Sequence, residues 1–210
     1  MKVYTLPEIQ DLEKRYRVNL ITNISGIRSA NLIGTKNKLG ISNVSVFNTV
    51  TTIGSNPPLI GFIMRPTHVE RHTYENIVET KKFTINQINS HNYKKAHLTS
   101  AKYPKPVSEF DVCDLQEEYY GDFEAPFVKD SLIKIGLSLK EELHIQSNNT
   151  KLIIGSVELI ICEDDLVKED GYINHEQIDT MAIGGLDTYY KCKHAGRFGY
   201  AKPGNDLQTL

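Results

Sequence analysis

Apolar and polar positions alternate along GISNVSVFNTVTT, residues 40–52, with the period of two that marks a β-strand. Val44, Val46 and Val50 fall on one side, a packing face interrupted by Asn48. Asn43, Ser45, Phe47, Thr49 and Thr51 fall on the other, which faces either water or a polar ligand. GSNPP at 54–58 breaks the strand, because glycine admits unusual backbone angles and prolines cannot pair inside a ladder. Residues 59–64 are apolar on both faces, as in a strand covered on both sides. Arg65 closes that strand, and Pro66 stops it. Thr67-His68-Val69-Glu70 fits the S/T-x-x-E capping box, so the pattern predicts a helix from His68 to about Val78. Arg65, His68, Arg71 and His72 then surround one helix N-terminus, whose unpaired N–H groups suit a phosphate or carboxylate. Each of these residues taken singly is more simply a strand cap or a solvated helix residue. The anion reading rests on their combination with a polar strand face one hairpin away.

The rest of the chain is short strands and turns. A second capping box, Thr5-Leu6-Pro7-Glu8, opens a helix in which Ile9, Leu12 and Tyr16 share a face. It reads as an arm docking on the body of the fold or on a partner subunit. Residues 18–25 alternate as a strand, with Val18, Leu20, Thr22 and Ile24 on one side. Further strands are expected at 30–36, after which NKLG has hairpin-turn chemistry, and at 83–88. The polar run 91–107, with Ala96, His97, Leu98 and Ala101 at helical spacing, predicts a helical excursion, and SEFD at 108–111 a further helical turn. Strands at 132–141 and 152–162 are joined through SNNT, and 163–210 is loop-rich, with 202–210 a mobile tail. Without regular βαβ alternation, the expected fold is a single mainly β domain over 1–210, an antiparallel barrel with a few short helices.

Composition narrows the partners. A chain of 210 residues, 40% hydrophobic and 24% charged, has the balance of a soluble globular protein with a sizeable core. A net charge of −2 gives no reason to expect nucleic acid or an anionic membrane. No stretch has the apolar core of a signal peptide or the length of a membrane span, so cytoplasmic residence is expected. Cys113, Cys162 and Cys192 are odd in number and form no C-x-x-C pair, which argues against a disulfide framework or zinc. His68 and His72 have the spacing of two metal ligands, but Val69 stands where H-E-x-x-H needs glutamate and no third ligand is evident; no metal is expected. Neither a Rossmann glycine fingerprint, a P-loop nor a nucleophile elbow is present.

The runs NVSVFNTV, SNPPLIGF, RPTHVERHTYENI and KKFTINQI, followed in order by SEFD, APFVKDSL, LIIGSVELI and GGLDTYY, resemble the flavin reductase family. That resemblance implies an FMN-binding split barrel, with FMN held or used as a substrate near the interface of a homodimer and hydride supplied by NADH or NADPH. The flavin carries the chemistry in such a site, so no dedicated catalytic residue is expected. Carried over by motif, Asn43, Ser45, Val46, Phe47, Asn48 and Thr49 lie along the flavin ring, with Phe47 either a wall of the ring or plain core. Arg65 holds the phosphate, helped by Thr73 and His72, and Asn76 is either a further contact or an exposed helix residue bonding locally. His144, Tyr189 and Tyr190 are weaker candidates for the open face. The chain departs from the family pattern at 91–106, which reads as a lid, and after Tyr190. The electron acceptor is thus open: free flavin passed to a partner monooxygenase, a ferric chelate, or an organic molecule. A non-catalytic flavin- or haem-binding module is the reading from a different class.

Overall fold

The computed structural model describes residues 1–210. The chain begins with two helices, α1 (Leu6–Asp11) and α2 (Lys14–Asn23). Four strands follow: β1 (Ile27–Ser29), β2 (Asn31–Lys36), β3 (Ser42–Phe47) and β4 (Thr51–Ser55). Next come β5 (Pro58–Met64), α3 (His72–Thr80), β6 (Lys82–Gln87), α4 (Tyr93–Leu98) and α5 (Glu109–Val112). The chain continues through β7 (Glu117–Glu118), β8 (Phe127–Val128), β9 (Lys134–Ile145), β10 (Thr150–Ile161), β11 (Met181–Gly184) and β12 (Thr188–Lys191). No helix is long and apolar enough to cross a membrane.

The fold is mainly β and antiparallel, as the alternation of short strands and turns implied. Seven strands form one sheet in the order β3-β2-β6-β9-β10-β5-β4, which curls without closing. Register shifts in the β9–β10 pair, at Ile154/Gly155 and Val157/Leu159, are the bulges that bend it. Gly155 permits a close approach: a Cβ there would stand 2.6 Å from the Phe83 ring. The two edges, β3 and β4, are consecutive in sequence and joined only by residues 48–50. Four extended residue steps span at most about 14 Å, so that connection must bridge the slit of the barrel.

Two apolar clusters share β2 between them. Ile33, with Phe62, Met64, Phe83, Leu137 and Ile153, fills the barrel, and Ile77 of α3 plugs its end. Leu32 points the other way, into Val44, Ile88, Ala96, Phe110, Met181 and Ile183, a layer made with α4, α5 and β11. A small sheet, β1-β11-β12, adjoins this layer, and Ala30, Ile88 and Met181 are linked by backbone bonds of 2.8–3.1 Å. The region 163–210 therefore contains two strands and buried core residues, more order than its loop-rich composition suggested. Residues 202–210 fold back on 197–199 through Gly199 N–H to Gln208 O and Leu210 N–H to Arg197 O, 2.9 Å each. The polar run 91–107 holds α4, whose Ala96 is completely buried.

Several local expectations need correction. Residues 18–25 are not a strand; α2 occupies them. The Glu13 carboxylate accepts from the Tyr16 N–H at 2.9 Å, and the helix satisfies its own backbone. The alternation of Val18, Leu20, Thr22 and Ile24 was ambiguous over so short a run. Residues 40–52 are not one strand but β3 and β4, interrupted at 48–50. The hairpin before β3 is as expected: Asn37 Oδ1 accepts from the N–H groups of Leu39 and Ile41 at 3.0 and 2.9 Å, and Gly40 takes φ +85°.

Candidate functional site

At the slit, the chain leaves β3 and re-enters the sheet as β4 on its far edge. Asn48, Thr49 and Val50 make no backbone–backbone hydrogen bond, so their N–H and C=O groups are open to another partner. Side chains hold the segment in place instead. The Thr49 hydroxyl accepts from the Ile63 N–H at 3.1 Å and donates to the Ile63 carbonyl at 3.3 Å. Asn48 Nδ2 donates to the Gly185 carbonyl at 2.6 Å, tying the slit to the β11–β12 turn. Beside it lies a cleft of about 530 Å³ lined by Arg28, Ser29, Thr49, Val50, Thr51 and Ile63. Arg28 is half-buried, donates to the Ser25 hydroxyl and pairs with no carboxylate. A second cavity of about 580 Å³, between Lys36, Lys38, Gly40, Thr80, Tyr119 and Phe123, contains none of the expected site residues.

The expected residues divide between this slit and the interior. The odd-numbered side of β3 is not a free polar face. Phe47 meets Phe62 edge-to-face, centroids 5.0 Å apart, and so packs on the barrel core while staying partly exposed. Asn43 is 5% exposed and bonded to Thr73. Val44 and Val46 pack on the other cluster, so the strand is covered on both sides; Ser45 is half-buried. Arg65 is exposed, two residues beyond Ile63 on the same strand line, and like Arg28 makes no ion pair.

Helix α3 starts at His72, four residues later than the sequence pattern indicated. Arg71 is its N-cap residue: its N–H reaches the Glu75 carboxylate at 3.3 Å, and its Nε donates to Pro66 O at 3.4 Å. Glu75 thus does the capping that Thr67 and Glu70 were expected to do, while Glu70 lies 3.5 Å from His72 Nε2. Arg65 follows β5 directly and His68 lies in the turn before the helix, so neither is part of its N-terminus. Thr73 and Asn76 are buried rather than exposed; the Asn76 amide donates to Thr35 Oγ1 at 3.1 Å, a cross-link between α3 and β2. His144 lies opposite Lys151 near the β9–β10 turn. Tyr189 packs against Tyr93 and His97, with its hydroxyl 3.3 Å from His97 Nδ1, and burial pushes it up to about 12. Tyr190 is 43% exposed.

Residues 28–180 match the flavin reductase like domain. The chain belongs to this family. The matched region opens at Arg28, which lines the cleft, and contains the whole slit. A solved structure from Shewanella frigidimarina NCIMB 400, assigned as a flavin reductase with split barrel domain, is 43% identical. That comparison covers 96% of this chain and 100% of the other, with a TM-score of 0.92. Nitrilotriacetate monooxygenase component B from Bacillus cereus shares the fold at 20% identity, with a TM-score of 0.83 and coverage of 94% and 98%. An uncharacterized protein of Aquifex aeolicus (strain VF5) is 26% identical over 78% of this chain and 83% of its own length. In this flavin reductase family member, sequence reasoning missed Arg28, Ser29 and Ile63. They reach the cleft from strands remote in sequence, and no local motif marks them.

Proposed function

We propose that this chain is a flavin reductase-type oxidoreductase that binds FMN along the slit and takes hydride from NADH or NADPH. Its family membership supports a flavin as the ligand. The observation that carries the site assignment is the unpaired backbone of residues 48–50 beside a cleft with an uncompensated arginine. The residues fit the group. A flavin ring presents a polar edge of alternating donors and acceptors to match open N–H and C=O groups, and a phosphate is matched by guanidinium groups at Arg28 or Arg65. Asn43, Thr73 and Asn76 support the site from beneath, since their polar atoms already have protein partners. When bound, FMN supplies the hydride chemistry; the chain supplies position and hydrogen bonds.

The proposal includes a homodimer. Helices α1 and α2 bury no residue within the chain, and Tyr16, Val18, Ile21, Ile24 and Ile27 are exposed along α2 and its exit. The likeness to a monooxygenase component B makes a partner monooxygenase the leading acceptor of reduced flavin, ahead of a ferric chelate or organic molecule.

The deciding experiment is the visible spectrum of purified protein before and after anaerobic NADH, followed by NADH oxidation with added FMN or FAD. Flavin bands that bleach identify a bound prosthetic group. A colourless protein that oxidises NADH only with added flavin uses flavin as a substrate. Failure of both sinks the proposal.

A further inference from the structure

Beneath the strand that leads into the slit lies a carboxyl group that the flavin reading does not use. Glu109, at the start of α5, is 5% exposed and approaches β3 from the side opposite the barrel interior. Its Oε2 is 3.4 Å from the Val44 N–H. The Asn43 amide has one orientation that satisfies all its neighbours. In it, Nδ2 donates to Glu109 Oε2 at 3.2 Å, while Oδ1 accepts from the Val44 N–H at 3.2 Å and the Thr73 hydroxyl at 3.0 Å. The reverse orientation would aim Nδ2 at the Val44 N–H, donor against donor. It would also aim Oδ1 at the Glu109 carboxylate, acceptor against acceptor, so Glu109 and the Val44 N–H together decide which way Asn43 points, and Asn43 joins α5, β3 and the first turn of α3.

We propose that Glu109 is a positioning residue for the slit: its ionised carboxylate, acting through Asn43, holds β3 and α3 in the arrangement that receives the ligand. Every group directed at Glu109 is a donor, including its own backbone N–H, which is the environment of a carboxylate rather than a carboxylic acid. Protonation would put a hydrogen where Asn43 Nδ2 donates, and the amide would have to turn. Burial pushes the Glu109 carboxyl above the ordinary range, opposed by the N–H groups of Glu109 and Val44 and, least, by His72. The other titratable groups facing it are Tyr103 and Cys113 on its outer side. Glu117 reaches the same cluster through Ser42, whose hydroxyl also meets that of Ser108 at 2.8 Å.

This inference rests on the flavin reading, and its test separates the two. FMN affinity is measured by quenching of flavin fluorescence for wild type, Glu109→Gln, Asn43→Ala and the double variant, with thermal unfolding alongside. Because Glu109 acts through Asn43, each single change should weaken FMN by about tenfold and the double change by no more than either alone. Additive losses, or an unaltered Glu109→Gln, overturn the proposal while leaving the flavin site standing; a wild-type protein that binds no flavin instead overturns the reading beneath it. Where a variant does not fold, the wild-type pH profile decides. Affinity should fall on the acid side as Glu109 takes up a proton; a flat profile removes the role.

Discussion

Single residues define what the slit can bind. Arg28 stands in the cleft without a carboxylate partner, and charge-assisted bonds to phosphate contribute about 1.5–3 kcal/mol. Arg28→Ala should weaken FMN about tenfold or more, with riboflavin, which lacks the phosphate, less affected; Arg28→Lys should restore part of the loss. Equal effects on both flavins, read by equilibrium titration, would remove Arg28 from phosphate recognition. Glu109 shows the opposite economy. Its pKa is raised in the folded protein, so the native state holds the proton to higher pH than the unfolded chain does. Its contribution to stability is therefore fully present below the unfolded value, about 4.3, and is lost as pH rises through the folded value. Urea denaturation across that window should show wild type losing stability relative to Glu109→Gln as pH increases; a constant difference would mean Glu109 does not titrate as its burial implies. The ionised form that orients Asn43 is thus kept at a cost in stability, as polar groups at functional sites often are. Arg65 and Thr73 could be singled out from motif alone, whereas Arg28 and Glu109 could not. Their significance comes from what lies across from them.

Elements show where one-dimensional pattern is sufficient. The β2–β3 hairpin, β5, β6 and the β9–β10 pair were legible because each is a short strand-like run, alternating in β3 and continuously apolar in β5, bounded by turn chemistry such as Asn37 to Gly40. The start of α3 was misplaced because Thr67 and Glu70 satisfy the capping pattern while Glu75, one turn into the helix, takes the cap N–H. The α1 cap, by contrast, forms as read: the Thr5 N–H and hydroxyl both donate to the Glu8 carboxylate at 2.7 Å. Thr5→Ala should loosen α1 by about 1 kcal/mol, seen as faster amide exchange in 6–11 with unchanged global unfolding, since this helix buries nothing in its own chain. Thr49→Val belongs at this scale too, because it cuts the tie between the slit and β5. Leaving the Ile63 N–H without its hydroxyl partner should cost about 1–3 kcal/mol in thermal or urea unfolding. A loss no larger than that of a surface substitution would show that water replaces the hydroxyl.

For the whole molecule, the open question is what covers the N-terminal arm. If α2 packs on a second copy, Ile21→Glu should convert a dimer to a monomer in sedimentation velocity and lower FMN affinity with it; a wild-type monomer would refute the homodimer. The sequence by itself determined the mainly β class, most strands, and a family likeness with motifs on β3, β5 and α3 among others. These follow from local periodicity and turn chemistry, which depend on near neighbours. The tertiary structure decided that residues 48–50 bridge the two sheet edges, that Arg28 and Ile63 meet there, and that Asn43 and Asn76 are internal cross-links. It also made residues 18–23 part of α2, although they alternate like a strand. Strand order and burial come from which distant surfaces meet, and side-chain periodicity along one segment carries no record of that.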